Sequence, residues 1–278
     1  MIKDQVYYWP IWLLTARAKG KNSKIKSSLL KKISQGQIYL WKALNIYDDF
    51  LDGSGQPNKL SRANAYLRRY LEIYYRLNLG KDFYRLFNSV FADLEKANQE
   101  EAVQTHLEIS QGQIIFPRVW PNFKNLTDLS RKSLVLALGP LVAANFLAER
   151  PDQGCRSAIL DFFRFALAAK QLSDDACDWR EDLENGAITA VNILILKKAR
   201  QRHLTLNLQK PEVINLLFVS AAASQIAGHI KTLCWRARRE AKKAGWLNNC
   251  ALIREIIKPL ENAVVKSEKF RSLLTKKA

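Results

Sequence analysis

Glycine and proline are scarce in this chain of 278 residues, with 11 and 8 copies, and valine- or threonine-rich alternating runs are few. Such a composition disfavours sheets and long loops, because Gly and Pro mark turns and alternation marks strands. With 48% hydrophobic residues, the chain can bury a large core. No linker-like stretch divides it. The sequence therefore predicts an all-α protein: a single-domain bundle of about nine or ten helices over residues 1–278, beginning with a basic N-terminal segment at residues 1–27.

Cysteine and histidine are few and widely separated. The four cysteines have no C-x-x-C spacing, and the three histidines are far apart. This pattern disfavours a disulfide framework, a zinc site and a histidine-activated nucleophile. No stretch has the features of a signal peptide, and the uncharged run 213–230 contains polar residues typical of a buried helix. These observations favour a cytoplasmic protein.

Acidic residues are in the minority, with 26 Asp and Glu against 44 Lys and Arg, and none occurs between residues 5 and 47. The net charge of +18 attracts anions such as nucleic acid, anionic lipid or phosphorylated substrates. The basic run 235–246 has a tryptophan at each end, which suits peripheral contact with an anionic membrane. A solvated helix face is the more ordinary explanation of that run.

Two acidic clusters stand out against this basic background, and each has the form D-D-x-x-D after an apolar, helix-like run. Aspartates four positions apart lie on one face of a helix, so each cluster predicts a stripe of carboxylates. Charged side chains in such apolar surroundings need partners. The clusters are Asp48-Asp49-Phe50-Leu51-Asp52 and Asp174-Asp175-Ala176-Cys177-Asp178, the second extending to Asp182.

The chemistry that fits two facing carboxylate stripes is cation binding around one central cavity. Crowded carboxylates repel one another and take up protons unless a cation relieves them, and Mg²⁺ prefers oxygen ligands and phosphates. Together with the surplus Lys and Arg, these carboxylates predict a substrate whose diphosphate is held through magnesium. When the diphosphate departs, it leaves an allylic carbocation. The predicted catalytic metal ligands are Asp48, Asp52, Asp174 and Asp178, with Asp49, Asp175 and Asp182 as second choices. The predicted diphosphate-binding cations are Lys170, Arg180, Arg68 and Arg69, although Lys170 also fits an ordinary surface lysine.

At these positions the chain resembles the class I isoprenoid synthases, the superfamily of trans-polyprenyl diphosphate synthases and squalene/phytoene synthases. Residues 48–53 resemble the first aspartate-rich motif, residues 171–178 the second motif Q-x-x-D-D-x-x-D, and residues 182–189 the segment D-L-x-x-G-K-x-T. The resemblance covers about residues 28–200. It implies the isoprenoid synthase fold, an allylic prenyl diphosphate substrate, Mg²⁺ and a homodimer. It also implies that Gln171 lines the cavity.

The branch within this superfamily stays open. A polyprenyl synthase would have Lys where Ala187 stands, and a squalene/phytoene synthase would have Arg where Asn45 stands. A class I terpene cyclase and a non-catalytic homologue or regulatory subunit are the alternatives. A nucleic-acid-binding protein is disfavoured, because aspartates in a binding groove repel phosphate.

Hydrophobic periodicity predicts where the helices lie. The predicted helices cover residues 28–47, 61–79, 83–97, 99–113, 126–147 (as one or two helices), 158–183, 190–204, 211–244 (with a break) and 249–274. Residues 116–123 are predicted to form a loop, and Asn185-Gly186 a helix C-cap.

Overall fold

The computed structural model describes residues 5–16, 27–51, 53–103, 106–118, 120, 123, 125–146 and 153–275. Ten α-helices and one antiparallel pair of short strands lie in these residues, which confirms the all-α prediction. The helices are α1 (Gln5–Thr15), α2 (Ser27–Leu51), α3 (Leu60–Tyr75), α4 (Lys81–Val103), α5 (Leu138–Asn145), α6 (Gln153–Glu184), α7 (Ala190–Gln201), α8 (Pro211–Leu217), α9 (Ala223–Lys243) and α10 (Lys258–Thr275). The strands are β1 (Glu108–Ser110) and β2 (Gln113–Ile115).

The chain is divided into two compact units. The first comprises Met1–Gln99, Arg131–Arg164 and Ala237–Glu255, and the second comprises Glu100–Ser130, Phe165–Arg236 and Ile256–Ala278. The first acidic cluster belongs to the first unit and the second cluster to the second unit. The single domain over residues 1–278 stays a prediction.

In the first unit, α2 is held by its buried face. Ile33, Gln37 and Leu40 recur at helical spacing and are fully buried. Buried amides need hydrogen-bond partners, and Gln37 donates from Nε2 to the Leu136 carbonyl at 2.5 Å and accepts from the Tyr74 hydroxyl at 3.4 Å. The buried face thus fixes the direction of the helix that ends in the first acidic cluster.

Helix α1 lies inside the segment predicted only as basic, and the sequence analysis did not predict it. Its Val6, Trp9 and Leu13 are buried, and the Trp9 ring lies 5.1 Å from that of Phe163. Pro10 sits within this helix and obscured the pattern, since proline usually interrupts a helix interior. The other parts of that segment, residues 1–4 and 17–26, lie outside the described residues.

The predicted helix over residues 99–113 is wrong. Helix α4 runs through residue 99 to Val103, whereas β1 and β2 form a hairpin with Ser110 paired to Gln113. The two residues between them, Gln111 and Gly112, have φ of 48° and 77°, as a two-residue hairpin turn requires. The Ile114 N–H donates to the Leu206 carbonyl at 3.0 Å, so distant residues help to hold the hairpin.

The region 126–147, predicted as one or two helices, is α-helical only near its end, whereas the break within 211–244 occurs as predicted. The region 126–147 contains the 3-10 helices Leu126–Ser130 and Leu134–Ala137 before α5, whose first turn holds Gly139-Pro140. The break predicted within 211–244 is the π-helical turn Phe218–Ala222 between α8 and α9. Across the described ranges, no helix combines the length and apolar character needed to cross a membrane.

Candidate active site

The first acidic cluster lies at the C-terminal end of α2. Asp48 and Asp49 are exposed, and Asp52 lies outside the described residues. The last turn of α2 has no basic residue, although the negative end of a helix dipole favours cations there. A positive charge is supplied by another segment of the same unit, since Lys132 Nζ lies 2.6 Å from Asp48 Oδ1. The Asp48 side chain remains 51% exposed, so this carboxylate is accessible to a further cation.

The second acidic cluster lies on the last turns of α6. Asp174 forms an ion pair with Lys170, one turn earlier on the same helix, and Asp178 is exposed. The last turn of α6 again contains no basic residue. Asp182, in that turn, is half-buried. Asp174 on α6 is therefore paired with a lysine of its own helix, whereas Asp48 on α2 is paired with a lysine from a distant segment.

Asp175 is the buried carboxylate of the second cluster, with 7% of its surface exposed. Burial raises its pKa to about 7, and the negative charges of Asp182, Asp174 and Asp178 add to the rise. A hydrogen bond from Gln171 Nε2 to Asp175 Oδ1, at 2.8 Å, opposes it. Uptake of a proton or binding of a cation would each offset the cost of this burial and repulsion.

The turn after the second cluster is rigidly capped, as the Asn185-Gly186 pair predicts. The Gly186 N–H donates to the Leu183 carbonyl and the Ala187 N–H to the Asp182 carbonyl, which is the Schellman arrangement. Gly186 has a φ of 73°, which glycine adopts without strain. The Leu107 N–H, just before β1, donates to the Gly186 carbonyl at 2.7 Å.

The segment that resembles D-L-x-x-G-K-x-T continues directly into α7. Thr189 is the N-cap of α7, and its hydroxyl accepts from the Asn192 N–H at 3.2 Å. The Asn192 side chain is fully buried and donates to the Ala187 carbonyl at 3.2 Å. Cap and side chain together fix the chain between α6 and α7, which holds the end of the second cluster in place.

The predicted diphosphate-binding residues have different surroundings. Lys170 and Gln171 contact the second cluster directly through Asp174 and Asp175. Arg180 is instead paired with Glu184, with Nε 3.0 Å from Oε1, on an exposed surface. Arg68 and Arg69 are exposed on α3 in the first unit, and the Arg69 guanidinium lies 5.6 Å from the Tyr39 ring centroid. Their roles in binding diphosphate stay predictions.

Two contacts were not predicted from the sequence: that of Lys132 with Asp48 and that of Leu107 with Gly186. Lys132 and Leu107 both lie far along the chain from the groups they contact, in segments without a recognisable motif. A lysine beside a serine and an arginine has no local feature that indicates an aspartate partner. The tertiary fold alone brings these residues to the two clusters.

Metal binding stays a prediction. In the described part of the chain, which leaves out Asp52, no group of three or more His, Cys, Asp or Glu side chains is arranged to hold a metal ion. The groups available to a cation are carboxylate oxygens, on α2 from Asp48 and Asp49 and on α6 from Asp174, Asp175 and Asp178. Such oxygens suit a hard ion such as Mg²⁺.

Comparison with solved structures shows that these helices form the fold of the prenyl pyrophosphate synthases. The resemblance to the class I isoprenoid synthases is thereby confirmed for the fold. No protein-family model matches the chain, and no curated protein does either.

Three similar structures show the extent of the match. A protein of Corynebacterium glutamicum, assigned as a geranylgeranyl pyrophosphate synthase, is 14% identical with a TM-score of 0.61, over 94% of this chain and 82% of that one. The geranylgeranyl pyrophosphate synthetase of the archaeon Geoglobus acetivorans is 16% identical with a TM-score of 0.57, over 96% and 84%. The apo form of an Arabidopsis medium/long-chain length prenyl pyrophosphate synthase is 13% identical with a TM-score of 0.55, over 97% and 90%.

Proposed function

We propose that this protein is a Mg²⁺-dependent prenyltransferase that acts on an allylic isoprenoid diphosphate and releases diphosphate. The observation that carries the proposal is the aspartate cluster of α6, with Asp175 buried among like charges, in a chain with the fold of prenyl pyrophosphate synthases. Carboxylates with raised pKa values are typical of functional sites. The acids at the end of α2, in the first unit, are a second group of carboxylate oxygens that suits a hard cation.

Several residues of this chain would hold the metal and its substrate. The proposed ligands are Asp48, Asp49, Asp52, Asp174, Asp175, Asp178 and Asp182. When bound, Mg²⁺ would polarise the diphosphate and stabilise the negative charge of the leaving group. Lys170 and Lys132 are already beside Asp174 and Asp48, where each ammonium can donate to a phosphate oxygen. Gln171 orients Asp175 through its hydrogen bond.

The molecule that the allylic cation then meets defines the branch of the superfamily. The three similar structures are named as prenyl pyrophosphate synthases, which supports chain elongation with isopentenyl diphosphate over head-to-head coupling or cyclisation. Head-to-head coupling and cyclisation stay alternatives, because Ala187 departs from the polyprenyl synthase pattern and Asn45 from the squalene/phytoene synthase pattern. A homodimer stays a prediction. A peripheral membrane contact through residues 235–246 also stays a prediction; the exposure of Trp235, at 59%, is compatible with it.

A non-catalytic homologue is the second candidate function. Lysines neutralise a first-choice ligand in each cluster, Asp48 through Lys132 and Asp174 through Lys170. A protein that no longer uses metal could keep its acids stable in this way, because a paired carboxylate needs no metal for charge balance. Such a protein would retain the fold and act on an active partner.

Product analysis separates these functions. The protein is incubated with Mg²⁺ and farnesyl or geranylgeranyl diphosphate, with and without isopentenyl diphosphate. Longer diphosphates would support elongation, a doubled hydrocarbon head-to-head coupling, and a cyclic hydrocarbon cyclisation. No turnover of any allylic diphosphate, at a Mg²⁺ concentration that supports a known synthase run in parallel, would contradict the enzyme proposal and favour the non-catalytic homologue.

A further inference from the structure

A shallow, largely open cleft of about 320 Å³ lies beside the C-terminal end of α7, in the second unit, and includes no residue of either acidic cluster. Its lining side chains are Trp120, Lys197, Arg200 and Gln201. The volume is at the lower end of the range for small-molecule sites. Neither the proposed prenyl transfer nor any predicted site residue uses this cleft.

The β-hairpin holds one side of this cleft in place. The Ile114 N–H donates to the Leu206 carbonyl, and the Leu208 N–H donates to the Gly112 carbonyl at 2.8 Å. These bonds fasten the hairpin to the segment that follows α7. The chain then leaves β2 through Phe116, whose ring centroid lies 6.3 Å from that of Trp120, with the two ring planes at 30° to each other. The indole is thereby set against the end of α7.

The α7 side of the cleft has three side chains that carry hydrogen-bond donors, although most of the exposed lining surface is apolar. Lys197 and Arg200 are three residues apart and share one face of the helix, and the Arg200 guanidinium lies 5.7 Å from the Trp120 ring centroid. Gln201 Oε1 accepts from Lys198 Nζ at 3.4 Å, which leaves the amide NH₂ of Gln201 to donate elsewhere. In the described ranges no carboxylate forms an ion pair with Lys197 or Arg200.

We propose that this cleft binds a small phosphorylated molecule that carries a flat or apolar group. Two cations and one amide donor complement the oxygens of a doubly charged phosphate, and a guanidinium offers paired N–H groups for it. Packing of the guanidinium on the indole orients those N–H groups at little cost in side-chain entropy. The indole also offers apolar surface to the remainder of the ligand.

The alternative explanation of these cations is the helix end itself. Lys198 and Arg200 lie in the last turn of α7, where positive charge is favoured by the helix dipole. That effect accounts for basic residues anywhere in the turn. It does not account for the position of the Arg200 guanidinium over the Trp120 indole or for the mainly apolar lining beside these cations. The two explanations differ in whether a phosphate binds.

Binding of phenyl phosphate to the full chain tests the proposal, with metal removed by chelator so that the acidic clusters cannot hold the probe through Mg²⁺. The side-chain N–H signals of the seven tryptophans are followed by NMR, and Trp120→Phe identifies the signal of Trp120. We expect a saturable shift of that signal. Lys197→Gln/Arg200→Gln should weaken binding at least about tenfold, because two charge-assisted contacts are lost. Arg202→Gln, which removes the same charge at the same helix end outside the lining, should change it less than roughly twofold.

Two further probes distinguish the sources of affinity. Inorganic phosphate and phenol should each bind more weakly than phenyl phosphate. The proposal is overturned if the Trp120 signal does not shift, if phenol binds as tightly as phenyl phosphate, or if the double variant and Arg202→Gln weaken binding equally. Circular dichroism checks the folding of each variant. The exposed single change Lys197→Gln provides the same comparison, with a smaller expected loss, if the double variant unfolds.

Discussion

The ends of α2 and α6 contain the same D-D-x-x-D pattern in two different environments. At the end of α2, Asp48 and Asp49 are exposed, and the lysine on Asp48 comes from a distant segment. At the end of α6, Asp175 is buried with a pKa near 7, and the lysine on Asp174 lies one turn away. The two clusters therefore differ in solvation and in the origin of their counter-charge.

This difference leads us to expect that the two acidic clusters respond differently to metal and to pH. An exposed carboxylate is already solvated by water, whereas a buried carboxylate among like charges gains more stabilisation when a cation arrives. We infer that the α6 cluster is the more strongly coupled to metal and to pH. Four predictions test the comparison, in order of decreasing effect.

The largest expected effect is on turnover. Asp48→Ala and Asp174→Ala should each lower the rate of allylic diphosphate consumption by more than about 100-fold, because a catalytic metal would lose a carboxylate ligand. Circular dichroism should show an unchanged helical fold. Asp161→Ala, which removes an aspartate from the same helix as Asp174, is the control and should retain activity. Full activity in either cluster variant would refute its assignment as a metal ligand.

The next effect is on stability and its dependence on pH. A folded-state pKa of about 7 against an ordinary value of 3.8 means that ionised Asp175 opposes folding, so stability falls as the pH rises through this range. Asp175→Asn removes the cost of burying a charge, and Gln171 can still donate a hydrogen bond to the new amide oxygen. We expect a gain in the free energy of unfolding on the order of 2–4 kcal/mol at pH 8, which shrinks as the pH falls toward 4.

Urea denaturation of both proteins at several pH values measures this gain. The matched control is Asp49→Asn on the exposed cluster, for which we expect less than about 0.5 kcal/mol at every pH. An equal gain in the two variants would show that burial does not distinguish the clusters. A gain for Asp175→Asn that is largest at low pH would reverse the sign derived above.

A smaller difference is expected at the glycines that follow the two helices. Gly53 and Gly186 both have a φ of 73°, but a Cβ on Gly53 would meet no atom of the described residues within 4 Å, whereas one on Gly186 would lie 3.0 Å from the Leu107 carbonyl oxygen. Both alanine variants incur the left-handed backbone cost of about 1 kcal/mol, and Gly186→Ala should lose about 1 kcal/mol more. Thermal and urea unfolding measure the pair. A larger loss for Gly53→Ala would contradict the role of Leu107.

The smallest effect is expected from the two lysines. Lys132→Ala and Lys170→Ala should each destabilise the protein by less than about 1 kcal/mol, because their ion pairs are partly exposed. Both losses should diminish as salt is added, since screening weakens exposed pairs. Lys266→Ala, on an exposed face of α10, is the control. A salt-independent loss of several kcal/mol would show that these pairs hold the fold.

Local patterns allowed much of the fold to be predicted. Helices α2, α6 and α7 follow from apolar periodicity, and the end of α6 follows from Asn185-Gly186, because both signals depend on residues within a few positions. The hairpin at β1 and β2 was predicted as helix, since its bonds to residues 206–208 come from far along the chain. Helix α1 was not predicted because Pro10 is locally unfavourable in a helix. The helix is stabilised instead by the burial of Trp9 in the core.

The sequence by itself determined that the protein is helical and that its acids are grouped in two stripes with helical spacing. Only the tertiary structure decided that Asp175, and not Asp174, is the buried carboxylate, and that Lys132 pairs with Asp48. The physical reason is that spacing along a helix is set by backbone geometry, which local residues control. Solvation and ion pairing depend instead on which distant segments pack against that helix, and so follow only from the folded chain.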